Sequence, residues 1–317
     1  MTSTATRRSR RTYDGPTAEQ KLVDSLVELM QQGTTPWRKE WAASGSGHHL
    51  NLISGHRYSG SNVCLLALQQ IVRGSALPYW VGRTQAKAAG WCPKKGSKGA
   101  YIIRPQLNKY EQTDDTGKVV TDNNGTPVVN AWVSFKPVCV FNAADLQGDG
   151  LEEAIAKMQG IDTAKPAHER ISHAESILSS WQVDVTFGGN RAFYSPQNDR
   201  IAVPNLQDFS NPESFYATWA HECIHSTGHK DRLARDLYNE FGTPGYAREE
   251  LVAELGAVML CDRLEISSNF TNHAAYLEHW IKILQESPKI LYKILSESRK
   301  AADLICPEAR EESSGEG

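Results

Sequence analysis

His221-Glu222-Cys223-Ile224-His225 sets two imidazoles four residues apart with a carboxylate beside the first. On a helix, positions i and i+4 share a face, so both rings can hold one Zn²⁺ while Glu222 projects towards an open coordination position. The chemistry of such a set is hydrolysis. The metal lowers the pKa of water and polarises a carbonyl, and Glu222 serves as the catalytic general base that later passes its proton to a leaving amine. Cys223 falls on a different face and reads as packing.

A third ligand is required, and acids cluster in Tyr246-Ala-Arg-Glu249-Glu250-Leu-Val-Ala-Glu254-Leu. Glu250 and Glu254 share one helix face, so one can coordinate while the other orients a ligand histidine through its free ring nitrogen. Glu250 is assigned as the ligand and Glu254 as the orienting acid because that order is the one in thermolysin-like enzymes; the reverse assignment is the alternative. Glu249 reads as an exposed helix charge. His229 lies past Gly228, where the helix should have ended, and reads as a loop histidine. Tyr246 reads as a packed residue at a helix start, with donation to an oxyanion as its alternative role. Zn²⁺ is the expected metal, and Mn²⁺ or Co²⁺ would fit the same ligands.

The elements that must carry these residues are legible in the pattern. Asn211 caps, Pro212 suits the first helical position and Gly228 stops, which predicts a helix over 212–227. Further helices are predicted over 246–262 and as a pair within 272–304, and strands over 183–187, 191–195 and 200–203, the last two joined across Pro196-Gln-Asn-Asp199 as a hairpin. In the first half, Thr17 and Gln20 form a capping box before an apolar stripe of Leu22, Val23, Leu26, Val27, Leu29 and Met30 that ends at Gly33. Helices near 61–71 and 83–89, strands near 100–104 and 131–141, and loop chemistry at Asp114, Gly117 and Asn124-Gly125 complete that half. The expectation is an α+β chain of two domains, 17–150 and 151–306, each burying its own core, between a flexible basic arm (1–16) and an acidic tail (307–317).

Charge divides with them. Residues 1–150 hold 18 Lys+Arg against 11 Asp+Glu, and residues 151–317 hold 16 against 26. From Trp41 to Tyr110 there is no acid at all, while Arg57, Tyr58, Arg73, Tyr79, Trp80, Arg83, Lys87, Trp91, Lys94, Lys95 and Lys98 interleave cations with aromatic faces. Cations that track phosphates and rings that stack on unpaired bases make a surface for single-stranded DNA, with duplex DNA as the alternative. Lys94-Lys95-Gly96-Ser97-Lys98-Gly99 resembles a phosphate-contacting turn. With 40% hydrophobic and 22% charged residues and a mean hydropathy of -0.48, the 317-residue chain has no apolar run near the ~18 residues of a membrane span. Six cysteines without a CxxC pair exclude a secreted disulfide framework, so a cytoplasmic protein with free thiols and no membrane partner is expected.

Taken together the motifs resemble the ArdC-type antirestriction family. In the first half the likeness is carried by Gly33-Thr-Thr-Pro-Trp37-Arg38-Lys39, Asn51, Gly55-His-Arg57-Tyr58-Ser-Gly-Ser-Asn62, Thr84-Gln-Ala-Lys87, Lys95-Gly96, Lys98-Gly99 and Val140-Phe141-Asn142. This block is also similar to the N-terminal region of TraC-type plasmid primases. In the second half it is carried by Tyr216-Ala-Thr-Trp-Ala-His221-Glu222-Cys-Ile-His225-Ser-Thr-Gly-His229, Arg232-Leu233 and Glu249-Glu250-Leu-Val-Ala-Glu254-Leu. The resemblance implies an N-terminal single-stranded-DNA-binding domain, with Trp37, Arg38, Lys39, Arg57, Tyr58, Asn62, Lys87, Lys94, Lys95 and Lys98 as contact candidates. It further implies a C-terminal zincin-like metallopeptidase domain acting on an unidentified protein or peptide, the whole protecting incoming mobile-element DNA from host restriction. Two other functions fit the same residues: a DNA-shielding protein whose metal is structural, and a cytosolic metallopeptidase without a DNA role.

Overall fold

The computed structural model describes residues 18–31, 47–114, 118–122, 124–162, 164–268, 277–287 and 289–308, in a fold that mixes helices and strands. The expected arm, the Gly33 stop and all but the first two residues of the expected tail lie outside them. The amphipathic stripe forms α1 (Ala18–Gln31), which buries Val23, Leu26, Val27 and Met30. Then come β1 (Leu50–Asn51), α2 (Ser61–Arg73), β2 (Tyr79–Gly82), α3 (Arg83–Ala88), β3 (Cys92–Pro93), β4 (Ala100–Glu111) and β5 (Val129–Asn142). One sheet has the order β1-β2-β5-β4, with β1 parallel to β2 and the other pairs antiparallel.

β4 and β5 outrun the predicted strands. Their register continues from Ala100↔Val140 to Glu111↔Val129, so the pair leaves the sheet as a two-stranded ribbon. Its base is covered, where Ala100, Ile102 and Val140 pack with Leu66 and Trp80; Tyr110 and Val129 near its far end are exposed. Pro105 is tolerated because β4 is the sheet edge.

Past β6 (Leu146–Gln147), which pairs with β3, the connector folds as α4 (Leu151–Ile161) and α5 (Ala167–Ser179). A three-stranded sheet follows from β7 (Asp184–Phe187), β8 (Phe193–Ser195) and β9 (Arg200–Val203) in the order β7-β9-β8, the β8–β9 hairpin as expected and β7 parallel to β9. The remaining helices are α6 (Pro212–Ser226), α7 (Pro244–Leu264), α8 (Leu277–Glu286) and α9 (Lys289–Ile305).

The expectation of two separate cores is corrected. A single large cluster joins Val23, Leu26 and Met30 of α1 and Val63, Cys64, Leu65 and Leu68 of α2 to α6, α7, α8 and α9. The reason lies in α2, whose residues 63–69 are all buried. One side of it turns Leu66 onto the first sheet, and the other packs on α7, where the Cys64 thiol reaches the Leu255 carbonyl at 3.7 Å. A helix apolar all round must be covered on both faces, and here the second cover is the C-terminal half. Among the described residues no helix is long and apolar enough to cross a membrane.

Candidate metal centre

α6 begins as its sequence requires: Asn211 Oδ1 accepts from the Ser214 N–H at 2.8 Å, and Pro212 takes the first turn. Thr243 caps α7 in the same way, accepting from the Tyr246 N–H at 3.3 Å, with Pro244 following. The two helices approach closely at Gly256, where a Cβ would stand 2.8 Å from Ile224 Cγ2. That approach carries the acids of α7 up to the histidines of α6.

The Nε2 atoms of His221 and His225 are 3.2 Å apart. Glu250 places Oε2 3.8 Å from His221 Nε2 and Oε1 3.6 Å from His225 Nε2. One donor atom from each of these three residues falls within a 4.8 Å group. Ligands at ~2.0–2.1 Å in tetrahedral array are about 3.3 Å apart, so the donors already stand at nearly the separations a Zn²⁺-sized ion imposes. Glu254 Oε2 lies 4.0 Å from His221 Nδ1, on the side of that ring away from Glu250. The geometry thus groups Glu250 with the two histidines and sets Glu254 behind one of them.

Charge fits a cation as well. Glu222, Glu249, Glu250 and Glu254 are all buried here. Burial raises the Glu222 pKa, against the nearby His221 and His225 and, to a smaller extent, the Tyr194 backbone amide on β8. For His225, burial opposes the charged ring, but Glu250, Glu249 and Glu222 outweigh it and raise the pKa well above the usual value. Burial likewise works against ionised Glu250, and the two histidines overcome it and hold the carboxyl well below the ordinary range. The centre opens on a cleft of about 1210 Å³ whose walls include Phe193, Tyr194, Phe209 and Tyr246.

Glu249 corrects the sequence reading. It is 7% exposed, and its Oε1 lies 3.2 Å from His225 Nδ1 while Arg235 donates to both of its oxygens. Burial would raise its pKa, but His225 and Arg235 together lower it. Arg235 itself was not legible, since a lone loop arginine ten residues past His225 carries no spacing signal. His229 stands apart from the donor group, with Nδ1 3.4 Å from Asp231, and Cys223 is core.

The DNA-contact candidates separate into four sets. Trp37, Arg38 and Lys39 lie outside the described residues. Tyr58 is 6% exposed and its hydroxyl accepts from Asn51 Nδ2, while Asn62 exchanges two hydrogen bonds with the Ile103 peptide at 2.9 and 2.8 Å. This conformation offers neither that ring nor that amide to a nucleic acid. Arg57 is engaged by Asp262. Lys87, Lys94, Lys95 and Lys98 are exposed. The 94–99 turn is pinned beneath by the Asp145 carbonyl, which accepts from the Lys94 N–H and the Ser97 hydroxyl. Arg73 ties it further, donating to the Asp145 carboxylate and the Lys98 carbonyl.

Known proteins share both halves. Residues 16–141 match the N-terminal domain of anti-restriction factor ArdC, and residues 172–297 match the zincin-like metallopeptidases. The chain is 36% identical over 295 residues to the DNA primase TraC of Escherichia coli, covering 90% of this chain and 27% of TraC, so it spans about a quarter of that relative. The metal-free crystal structure of the antirestriction ArdC protein from the R388 plasmid is similar with a TM-score of 0.64 at 29% identity, over 90% of this chain and 96% of that one. The Mn(II)-bound structure of the same protein gives 0.61 at 28%, with the same coverage. The chain thus carries a match to the ArdC N-terminal domain followed by a match to the zincin-like metallopeptidases, and over nine-tenths of its length it is similar to the antirestriction ArdC protein of R388.

Proposed function

We propose that this protein is a divalent-metal-dependent peptide hydrolase joined to a domain that binds single-stranded DNA, and that it protects incoming mobile-element DNA from restriction. The observation that carries the reading is the convergence of His221, His225 and Glu250 beside Glu222 on the wall of an open cleft. Structural zinc sites are closed by four protein ligands, whereas three ligands facing a cavity leave room for a reactant. Zn²⁺ suits two imidazoles and a carboxylate best, and the Mn(II) held by R388 ArdC supports the same donor set serving other divalent ions.

A bound ion of this kind supplies Lewis acidity, which polarises a carbonyl and acidifies water. The chain's own residues do the rest. Glu222 takes a proton on its carboxylate and returns it to the departing amine. Among the described residues β8 is an edge of its sheet, and Phe193 and Tyr194 line the cleft, so an extended peptide can add as a further strand beside Glu222. Lys87, Lys94, Lys95 and Lys98 give the first half an exposed cationic surface for phosphates.

The test is Glu222→Gln in the full chain, assayed for metal content and for cleavage of a peptide library. Metal should remain and cleavage should fall by about 10²–10⁴-fold. Cleavage retained at the wild-type rate contradicts the assignment of Glu222.

A further inference from the structure

Glu249 lies outside the group of three donors, yet both of its carboxylate oxygens are held. Its Oε1 sits 3.2 Å from His225 Nδ1. Arg235 donates from Nε to Oε2 at 2.9 Å and from Nη2 to Oε1 at 2.8 Å. The same guanidinium donates to Thr227 Oγ1 and to the Ile224 carbonyl, each at 2.8 Å, which fastens it to the end of α6. Gly228 makes the seat: a Cβ there would stand 3.0 Å from Arg235 Nη2 and 2.8 Å from Leu237 Cδ2. The sequence marks Gly228 as a helix stop, but Thr227 is still right-handed helical and the glycine is needed for this close approach.

A neutral imidazole carries one N–H, and the partner of one nitrogen decides the state of the other. A carboxylate kept ionised is an acceptor only, so beside Glu249 the proton belongs on Nδ1. Nε2, which faces His221 and Glu250, is then left with its lone pair. The guanidinium fixes that acceptor in place: with Nε on Oε2 and Nη2 on Oε1, the Glu249 carboxylate is held with Oε1 against His225 Nδ1.

We propose that Arg235 and Glu249 are a positioning pair that holds His225 as its Nδ1–H tautomer, aiming the Nε2 lone pair at the metal. This rests on the reading of the site as a metal centre. Neither residue touches a reacting atom; both act through His225.

The experiment measures Zn²⁺ affinity of the full chain by chelator competition for wild type, Glu249→Gln, Glu249→Ala, Arg235→Ala and His225→Ala. Melting of each metal-free variant checks folding. Glu249→Ala and Arg235→Ala should weaken binding about 10–100-fold, and Glu249→Gln, which keeps an acceptor oxygen, should recover most of it. Long-range ¹H–¹⁵N spectra of Zn²⁺-loaded, histidine-labelled wild type should show the His225 proton on Nδ1. Folded Glu249→Ala and Arg235→Ala proteins that bind within about twofold of wild type, while His225→Ala does not, overturn the positioning role and leave the metal centre standing. A His225 proton on Nε2 overturns it even where variants fail to fold. Folded wild type that binds no Zn²⁺ overturns the metal centre and this inference with it.

Discussion

Arg57 donates from Nη2 to both the carboxylate and the backbone carbonyl of Asp262, at 2.9 and 2.8 Å, and so ties the acid-free stretch to the end of the helix that carries Glu249, Glu250 and Glu254. Asp262 is 3% exposed, and His48 Nδ1 approaches the same carboxylate at 3.3 Å. A cation that composition assigns to DNA is therefore also the partner of a buried acid in the other half of the molecule.

Arg57→Ala should destabilise the chain, since it strips a buried carboxylate of a charged donor. The arginine is one-third exposed, so the expected loss is about 1–3 kcal/mol, less than for a fully buried pair. Urea denaturation measures it. Lys95→Ala, at an exposed position, should change stability by no more than about 0.5 kcal/mol.

Phosphate binding predicts a different signature for the exposed lysines. Affinity for a labelled single strand should weaken in Lys95→Ala or Lys98→Ala, and the slope of log affinity against log salt should fall by about one for each phosphate that the variant no longer neutralises. An unchanged slope would remove the 94–99 turn from the DNA surface.

Gly256 and Ile224 couple packing to the metal centre. A Gly256→Val side chain would meet Ile224 and, at 3.3 Å, the Ser298 carbonyl, forcing α7 away from α6 and α9 at a cost of about 1–3 kcal/mol. Metal titration and melting of this variant should decline together, because Glu250 rides on the displaced helix.

The β8–β9 hairpin that presents Tyr194 to Glu222 is braced by Arg232, which donates to both oxygens of Asp199, to the Tyr194 hydroxyl and to the Ser226 carbonyl. Arg232 holds the Asp199 carboxyl below its ordinary pKa, against a smaller effect of burial. A carboxyl depressed in the folded state contributes stability above its unfolded value and loses it as pH falls through the folded one. Asp199→Asn keeps a residue that tolerates the positive φ of 46° there. It should therefore be less stable than wild type at pH 7, with the gap closing only below about pH 4 as Asp199 itself is protonated. Denaturation at a series of pH values checks the sign.

Much of this was readable because the relevant signals are local. Capping at Asn211, the four-residue spacing of His221 and His225 and the alternation around Pro196-Asp199 each fix an element without reference to distant chain. What failed depends on tertiary placement. Glu249 and Glu250 are neighbours that would point about 100° apart on any helix, and only the crossing of α6 over α7 turns both towards His225, one to each ring nitrogen. Tyr58 and Asn62 sit in a polar, basic segment, but α2 is covered on both faces, which draws them into internal hydrogen bonds. The β4–β5 ribbon ran past its predicted ends, where exposed residues such as Tyr110 and Val129 carry no burial pattern to mark a strand.

The central claim is that His221, His225 and Glu250 form one metal centre. Isothermal titration of the metal-free full chain with Zn²⁺ tests it most directly, comparing wild type with His221→Ala, Glu250→Ala and Glu254→Ala. One ion per chain is expected, with binding abolished or reduced by orders of magnitude in the first two variants and weakened about 10–100-fold in the third. Undiminished binding by folded Glu250→Ala, with loss in Glu254→Ala instead, would contradict it.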